Sequence, residues 1–204
     1  MFSLARRKTT QQQQPPAQMQ FAQMQFAQMQ FAYRQIPTHV VNKPVPPVQQ
    51  QDNLPKMKWG RPIWTFFHVM AQKVKPEYFN LVIKDFLKNV LLICGTLPCP
   101  ICSTHASEYM RAINLNNIRS KDDLINLFYN FHNVVNQRKG YAVLQKDQIP
   151  KYETANTIAA IKSFVHAFED KSRSIKLMAD DMARARISSQ FKFWINGNIQ
   201  YFEP

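Results

Sequence analysis

Two of the three cysteines in this 204-residue chain stand two residues apart, in Leu97-Pro98-Cys99-Pro100-Ile101-Cys102-Ser103-Thr104-His105. A proline on each side of Cys99 predicts a chain that arrives extended and turns into a helix at or just after that residue. Cys-x-x-Cys at a helix start can close a small disulfide loop, and the positive end of the helix dipole favours the thiolate left on reduction. The same spacing can supply half of a metal site. With Cys94 and His105 added, the stretch offers a Cys3His set, so zinc is the serious alternative to redox chemistry. Against zinc, structural sites usually draw their ligand pairs from two separated segments. A helix beginning at Cys99 would also have to bend Cys94 back to the metal.

Further polar groups flank the cysteine pair in sequence. His132 and Asn136 are four residues apart and so share a helix face, with Asn133 adjacent and Lys139 a turn further on. Trp64 and His68 have the same relation upstream. Taken singly, a histidine one turn from a tryptophan on an apolar stripe is an ordinary core residue. Taken together, the two faces supply flat aromatic surface and several hydrogen-bonding groups. A flavin needs that combination: surfaces for its ring system, amide and imidazole groups for its polar edges, and a basic residue near its pyrophosphate.

The elements that must position these residues read as helices. Ile63, Phe67, Met70 and Val74 form one stripe that Lys75-Pro76 ends. Phe79, Ile83, Phe86, Val90 and Ile93 form a second, closing near Cys94-Gly95. The cysteine stretch opens a third helix that runs to about Ile113. Ser120, followed by Asp122 and Asp123, caps a fourth through Leu124, Phe128, Phe131 and Val135, and Gly140 stops it. Only four glycines occur in the chain, which favours helices over sheets joined by tight turns. The fold class is therefore all-α, a four-helix bundle with short connections. Beyond Tyr152 the pattern weakens. Thr157–Asp170 reads as a further amphipathic helix, and the last thirty residues are ambiguous.

Three regions follow: a tail over residues 1–57, a folded domain over 58–152, and an extension over 153–204 that is helical in part. The tail is low in complexity. Gln11 to Gln14 is a homopolymer run, Ala-Gln-Met-Gln-Phe repeats three times over Ala17–Phe31, and Pro37 to Pro55 reads as a stiff spacer. A period of five turns Phe21, Phe26 and Phe31 by about 140° each, so no helix face builds up, and the tail is expected to be disordered. Lys and Arg outnumber Asp and Glu by 26 to 13, giving a net charge of +13. The tail is disproportionately basic and suits nonspecific contact with nucleic acid or another anionic partner, with solubility alone a sufficient explanation. A nucleic-acid-binding or scaffold protein would carry a recognised reader motif, and none appears. An odd cysteine count argues against a disulfide-stapled secreted scaffold, no apolar run is long enough to span a membrane, and the N-terminus lacks a signal-peptide pattern. The expected compartment is cytoplasmic. No strand-helix-strand pattern surrounds the cysteines, which disfavours a thioredoxin-like oxidoreductase.

Three motifs together resemble a known family. Trp59-Gly60-Arg61-Pro62-Ile63-Trp64-Thr65-Phe66-Phe67-His68 is similar to the Trp-Gly-x-x-x-Trp-x-x-x-His opening of the Erv/ALR FAD-dependent sulfhydryl oxidases. Pro98-Cys99-Pro100-Ile101-Cys102 resembles their active-site disulfide, and His132-Asn133-Val134-Val135-Asn136 their His-Asn-x-Val-Asn signature. All three occur in the expected order over about Lys58 to Tyr152. His105-Ala106 is most similar to the branch encoded by large cytoplasmic DNA viruses, whose setting would be the host cytoplasm, the virus factory or the virion.

The resemblance implies a four-helix bundle with a short fifth helix, noncovalent FAD at one mouth, and a homodimer. It places Cys102 against the isoalloxazine ring, where it would attack as a thiolate, and Cys99 nearer solvent, where it would exchange with a substrate thiol. Gly60, Arg61, Trp64, His68, His132, Asn133, Asn136 and Lys139 would line the FAD site together with Cys102. Tyr141 and Tyr152 fall where the family closes around the adenine end. No metal site is implied. Electrons would pass from a thiol-containing protein, or through a small redox relay protein, to O2 and yield hydrogen peroxide. The extension has no cysteine to form the shuttle disulfide that many members carry, and Cys94, left without a partner, is expected to be a buried apolar side chain.

Overall fold

Helix α1 (Gly60–Lys73) carries a long buried stripe that packs on the helices over residues 121–138 and 157–168. Residues 58–170 and 178–204 are described in this computed structural model, and all of them lie within one unit spanning Leu54–Pro204. The expectations for the tail, its repeats and its proline-rich spacer fall on residues 1–57, outside the described residues. After α1, a 3-10 turn over Pro76–Tyr78 leads into α2 (Phe79–Cys94). Then come α3 (Pro100–Ala112) and α4 (Lys121–Arg138). Two more 3-10 turns, Lys146–Gln148 and Pro150–Tyr152, precede the shorter fifth helix α5 (Thr157–Phe168) and a sixth, α6 (Met178–Asn198).

The helix boundaries follow the local chemistry. Pro76 lacks the N–H that would continue α1, and Val74 is already extended at the C-cap. Ser120 and Asp123 form a reciprocal capping box: the Ser120 hydroxyl accepts from the Asp123 amide at 3.1 Å, and the Asp123 carboxylate accepts from the Ser120 amide at 2.9 Å. That capping holds the Asp123 carboxyl below the usual carboxylate range, through the Ser120 hydroxyl first and then the Arg119 amide. Gly140 ends the turn beyond α4 with φ 68°, a left-handed conformation that glycine adopts without steric cost.

The core is dominated by phenylalanine. Phe66, Phe67, Phe86, Phe128, Phe164 and Phe191 are all fully buried. Phe67 of α1 stacks on Phe128 of α4, with centroids 4.9 Å apart. On its other side α1 meets the extension: Phe66 stacks on Phe164 of α5 at 4.1 Å and meets Phe191 of α6 edge-on at 5.2 Å. Phe86 of α2 stacks on Trp194 of α6. The segment after α6 then returns to the end of α1. Val74 pairs with Phe202 in an isolated antiparallel bridge, and the Glu203 amide donates to the Lys73 carbonyl at 2.7 Å. The Lys73 ammonium reaches the Pro204 carbonyl at 2.6 Å, and the Thr157 hydroxyl donates to the Glu203 carbonyl at 2.5 Å. The residues beyond Tyr152 thus complete the same core that the first four helices begin.

Candidate active site

Cys99 caps α3. Its backbone is extended (φ −111°, ψ 114°), Pro100 follows at the first helical position, and the Cys99 sulfur accepts from the Cys102 amide at 3.3 Å. The two sulfurs face each other at 2.6 Å, with the Cys102 thiol directed at Cys99 Sγ. That separation exceeds a disulfide bond by only about 0.6 Å. Both side chains are half-buried, and Ile101 between them stands in solvent at 69% exposure. Cys99 therefore stands at the N-terminus of the helix with its sulfur facing both the amide and the thiol of Cys102.

Cys102, one turn in, opens into a cleft. Helix α1 supplies Gly60, Ile63 and Trp64 to its wall, Trp59 stands at the entrance to α1, and α4 supplies Phe131, Arg138 and, just past its end, Lys139. The Lys139 ammonium lies 6.0 Å from the Trp59 ring centroid. Burial raises the Cys102 thiol to about 11, helped by its bond to Cys99, while the Lys139 charge opposes that rise. Cys94 closes the inner wall. Its thiol is fully buried and desolvation pushes it up to about 12, which matches the inert apolar side chain expected of it.

Trp64 also begins a column of rings leading away from the cleft. His132 lies on it with centroids 4.1 Å apart and planes 5° from parallel. His132 Nδ1 is 3.0 Å from His68 Nε2, and His68 stacks on Tyr152 at 4.7 Å. Desolvation first, then the His132 and Lys151 charges, lower His68 to about 3; desolvation and Lys151 lower His132 to about 4. Both imidazoles are neutral near pH 7, so one ring N–H can donate to the lone pair of the other. Burial raises the Tyr152 phenol, and the nearby Arg61 charge acts against it, which places Arg61 at this end of the column.

The two asparagines do something different from lining a wall. Asn133 donates to the Leu144 carbonyl at 3.1 Å and accepts from the Leu144 amide at 2.8 Å. Asn136 donates to the Ala142 carbonyl at 3.0 Å, and its own carbonyl accepts from the Tyr141 amide at 2.8 Å. Together they fasten residues 141–144 back onto α4. Tyr141 itself is 59% exposed. Of the residues expected from sequence, Gly60, Trp64, Cys102 and Lys139 line the cleft, and His68, His132, Tyr152 and Arg61 gather along the column. Asn133 and Asn136 shape the loop behind them. Sequence reasoning had not assigned Phe131, Val135, His105 or Arg138 to this cleft. The signal for the first two was present, since Phe131 and Val135 are four apart on the apolar stripe of α4. Among the described residues no three of His, Cys, Asp and Glu converge where they could hold a metal ion.

Residues 61–155 match the Erv1 / Alr family, a stretch that runs from the first turn of α1 through the ring column. A probable FAD-linked sulfhydryl oxidase of vaccinia virus is 33% identical over 78 residues, covering 38% of this chain and 76% of the relative. A putative FAD-linked sulfhydryl oxidase of invertebrate iridescent virus 6 is 34% identical over 98 residues, covering 42% of this chain and 83% of the relative. The chain belongs to the Erv1/Alr family. The fowlpox virus relative, also a probable FAD-linked sulfhydryl oxidase, is 30% identical over 78 residues, covering 38% and 74%. No solved structure matches the chain. As an Erv1/Alr protein it carries α5 and α6 beyond the matched stretch, and no helix among its described residues is long and apolar enough to cross a membrane.

Proposed function

We propose that this Erv1/Alr protein is an FAD-linked thiol oxidase that makes disulfides in protein substrates. The observation that carries the reading is the placement of Cys102, one sulfur of a facing pair, in the wall of a cleft bounded by tryptophan on one side and cations on another. The residues present fit the cofactor. Trp59 and Trp64 offer flat surface, Arg138 and Lys139 offer positive charge, and a Cβ added at Gly60 would meet nothing within 4 Å, so the glycine leaves room in the wall. FAD, when bound, supplies the two-electron acceptor that connects the cysteine pair to O2.

The roles of the protein's own groups follow from their positions. A substrate thiolate attacks Cys99 Sγ, the sulfur nearer the open end of α3, and Cys102 leaves as the thiolate. A second substrate thiolate then attacks the substrate sulfur of that mixed disulfide, Cys99 leaves, and the substrate disulfide is released with Cys99 and Cys102 reduced. The Cys102 amide and the helix dipole make Cys99 a good leaving group in that step. Cys102 passes the electron pair into the cleft as the Cys99–Cys102 disulfide reforms. The sum is two thiols and O2 giving one disulfide and hydrogen peroxide. Arg61, Trp64, His68 and His132 would line the FAD site, with Tyr152 toward the adenine end, while Asn133 and Asn136 fix the 141–144 loop that carries Tyr141.

The substrate is a thiol-bearing protein or a small redox relay protein, since residues 153–204 bring no second disulfide. A homodimer, a cytoplasmic setting and nonspecific nucleic-acid contact through the basic tail complete the proposal. The test is oxygen consumption with dithiothreitol, together with absorbance near 450 nm for retained flavin. Cys99→Ala and Cys102→Ala should each abolish turnover while the protein stays yellow. Turnover persisting in Cys102→Ala, or a folded protein that never binds flavin, would sink the reading.

A further inference from the structure

A second groove runs between α3 and α4 on the outer side of the cleft. It shares His105, Phe131, Val135 and Arg138 with the cleft that receives Cys102. Its own walls add Glu108, Val134 and the ring of Tyr109, which stacks on Phe131 at 4.6 Å. Of the four shared residues, His105 alone can both take up and give up a proton near neutral pH. It follows Cys102 by three positions on α3, so the two side chains lie on one face of the helix about 5–6 Å apart at Cβ. Both side chains line the same cleft, which leaves room for one water to carry a proton between them.

We propose that His105 is the base for Cys102, taking the thiol proton on the cleft side and releasing it to solvent on the groove side. The proposal rests on Cys102 being the sulfur that faces the flavin. The step balances: Cys102, reprotonated after leaving as a thiolate, gives its S–H proton to neutral His105, which becomes imidazolium, and Cys99, still the thiolate left by the substrate, closes the disulfide as the electron pair enters the cleft. His105 then returns its proton to water in the groove, and O2 reduction to hydrogen peroxide consumes it. The charged groups around His105 are Glu108 on its own helix and Arg138 and Lys139 from the end of α4, and Cys102 lines the same cleft. Burial first, and then the Arg138 charge, lower the His105 imidazole below its ordinary value, with Glu108 acting the other way. The ring is therefore neutral and able to accept at pH 7, whereas the Cys102 thiol, held up near 11, needs such a partner.

The test reads the thiol itself rather than turnover. In full-length Cys99→Ala protein, alkylation of Cys102 by iodoacetamide is followed by mass spectrometry from pH 5 to 9. Cys94, fully buried, stays unlabelled. With His105 present, the rate should show a shelf through neutral pH and fall only as the imidazole protonates. In Cys99→Ala/His105→Gln the shelf should vanish, leaving a rate that climbs tenfold per pH unit and is about tenfold or more slower at pH 7. Cys99→Ala/His105→Asn is measured in parallel, and the comparison uses whichever variant keeps its helical circular dichroism. Superimposable profiles with and without His105 would overturn the proposal. In that case loss of turnover in Cys102→Ala would still uphold the oxidase reading, so the two can fail separately.

Discussion

The His132 ring lies flat on Trp64, with centroids 4.1 Å apart and planes at 5°, and hydrogen-bonds through Nδ1 to His68 on the neighbouring helix. One imidazole thus ties α1 to α4 at the place where the cleft gives way to the ring column. The bond needs at least one neutral imidazole, because two imidazolium rings have no lone pair to accept and would set two cations side by side.

A pH dependence follows with a definite sign. His68 and His132 titrate near 3 and 4 in the folded protein, below the ordinary value of 6.5. Between pH 6.5 and 4 the unfolded chain binds protons that the folded chain does not. Stability is therefore fully present above pH 6.5 and falls as pH drops, by up to about 1.4 kcal/mol per pH unit for each group. His132 is partly exposed and contributes less than that limit. Urea midpoints at pH 7, 5.5 and 4.5 should decline more steeply for the wild type than for His68→Gln. Parallel declines would show that the pair does not carry the effect.

Gly60 separates binding from folding. A methyl group there meets no protein atom within 4 Å, yet it enters the cleft beside Trp64. Gly60→Ala should leave the melting temperature unchanged or slightly raised, since alanine favours the helix by up to about 1 kcal/mol. Flavin occupancy should fall severalfold, read as absorbance near 450 nm per polypeptide. A colourless variant with a lowered melting temperature would instead mark Gly60 as structural.

The Phe66–Phe164 stack, at 4.1 Å, makes the extension part of the core rather than an appendage. Phe164→Ala should cost about 3–5 kcal/mol, as emptying a fully buried aromatic site does. A chain ended after Tyr152 should aggregate, because it would expose Phe66 and Phe86 together. Size-exclusion chromatography and thermal melts check both. A monomeric, cooperatively melting truncation would show that the first four helices suffice.

The chain's local chemistry fixes the first four helices almost residue by residue. Pro76 stops α1, Ser120 and Asp123 start α4, Gly140 ends its last turn, and the stripes of Ile63–Phe67–Met70 and Phe79–Ile83–Phe86 name the buried faces. These are short-range effects of backbone dihedrals, capping and periodicity, so a linear reading recovers them. Cys99 and Cys102 as a reactive pair were legible for the same reason, because three residues of one helix turn set their distance. Helix α6 was not legible. Its buried positions, Ile187, Phe191 and Ile195, are interrupted by the exposed Phe193 and by the buried Arg184 and Ser188, so no clean stripe announces it.

Tertiary structure alone decided where the far groups meet. That His132 lands on Trp64 and His68, 64 residues away from its hydrogen-bond partner, depends on how α4 crosses α1. That Asn133 and Asn136 turn to the 141–144 backbone follows from the direction the chain takes after Gly140. His105 joins two cavities only because side chains of α3 and α4 meet there. Periodicity says which face of a helix is buried, but it carries no information on which distant face will cover it. The partner is chosen by the shape and volume that close packing must fill.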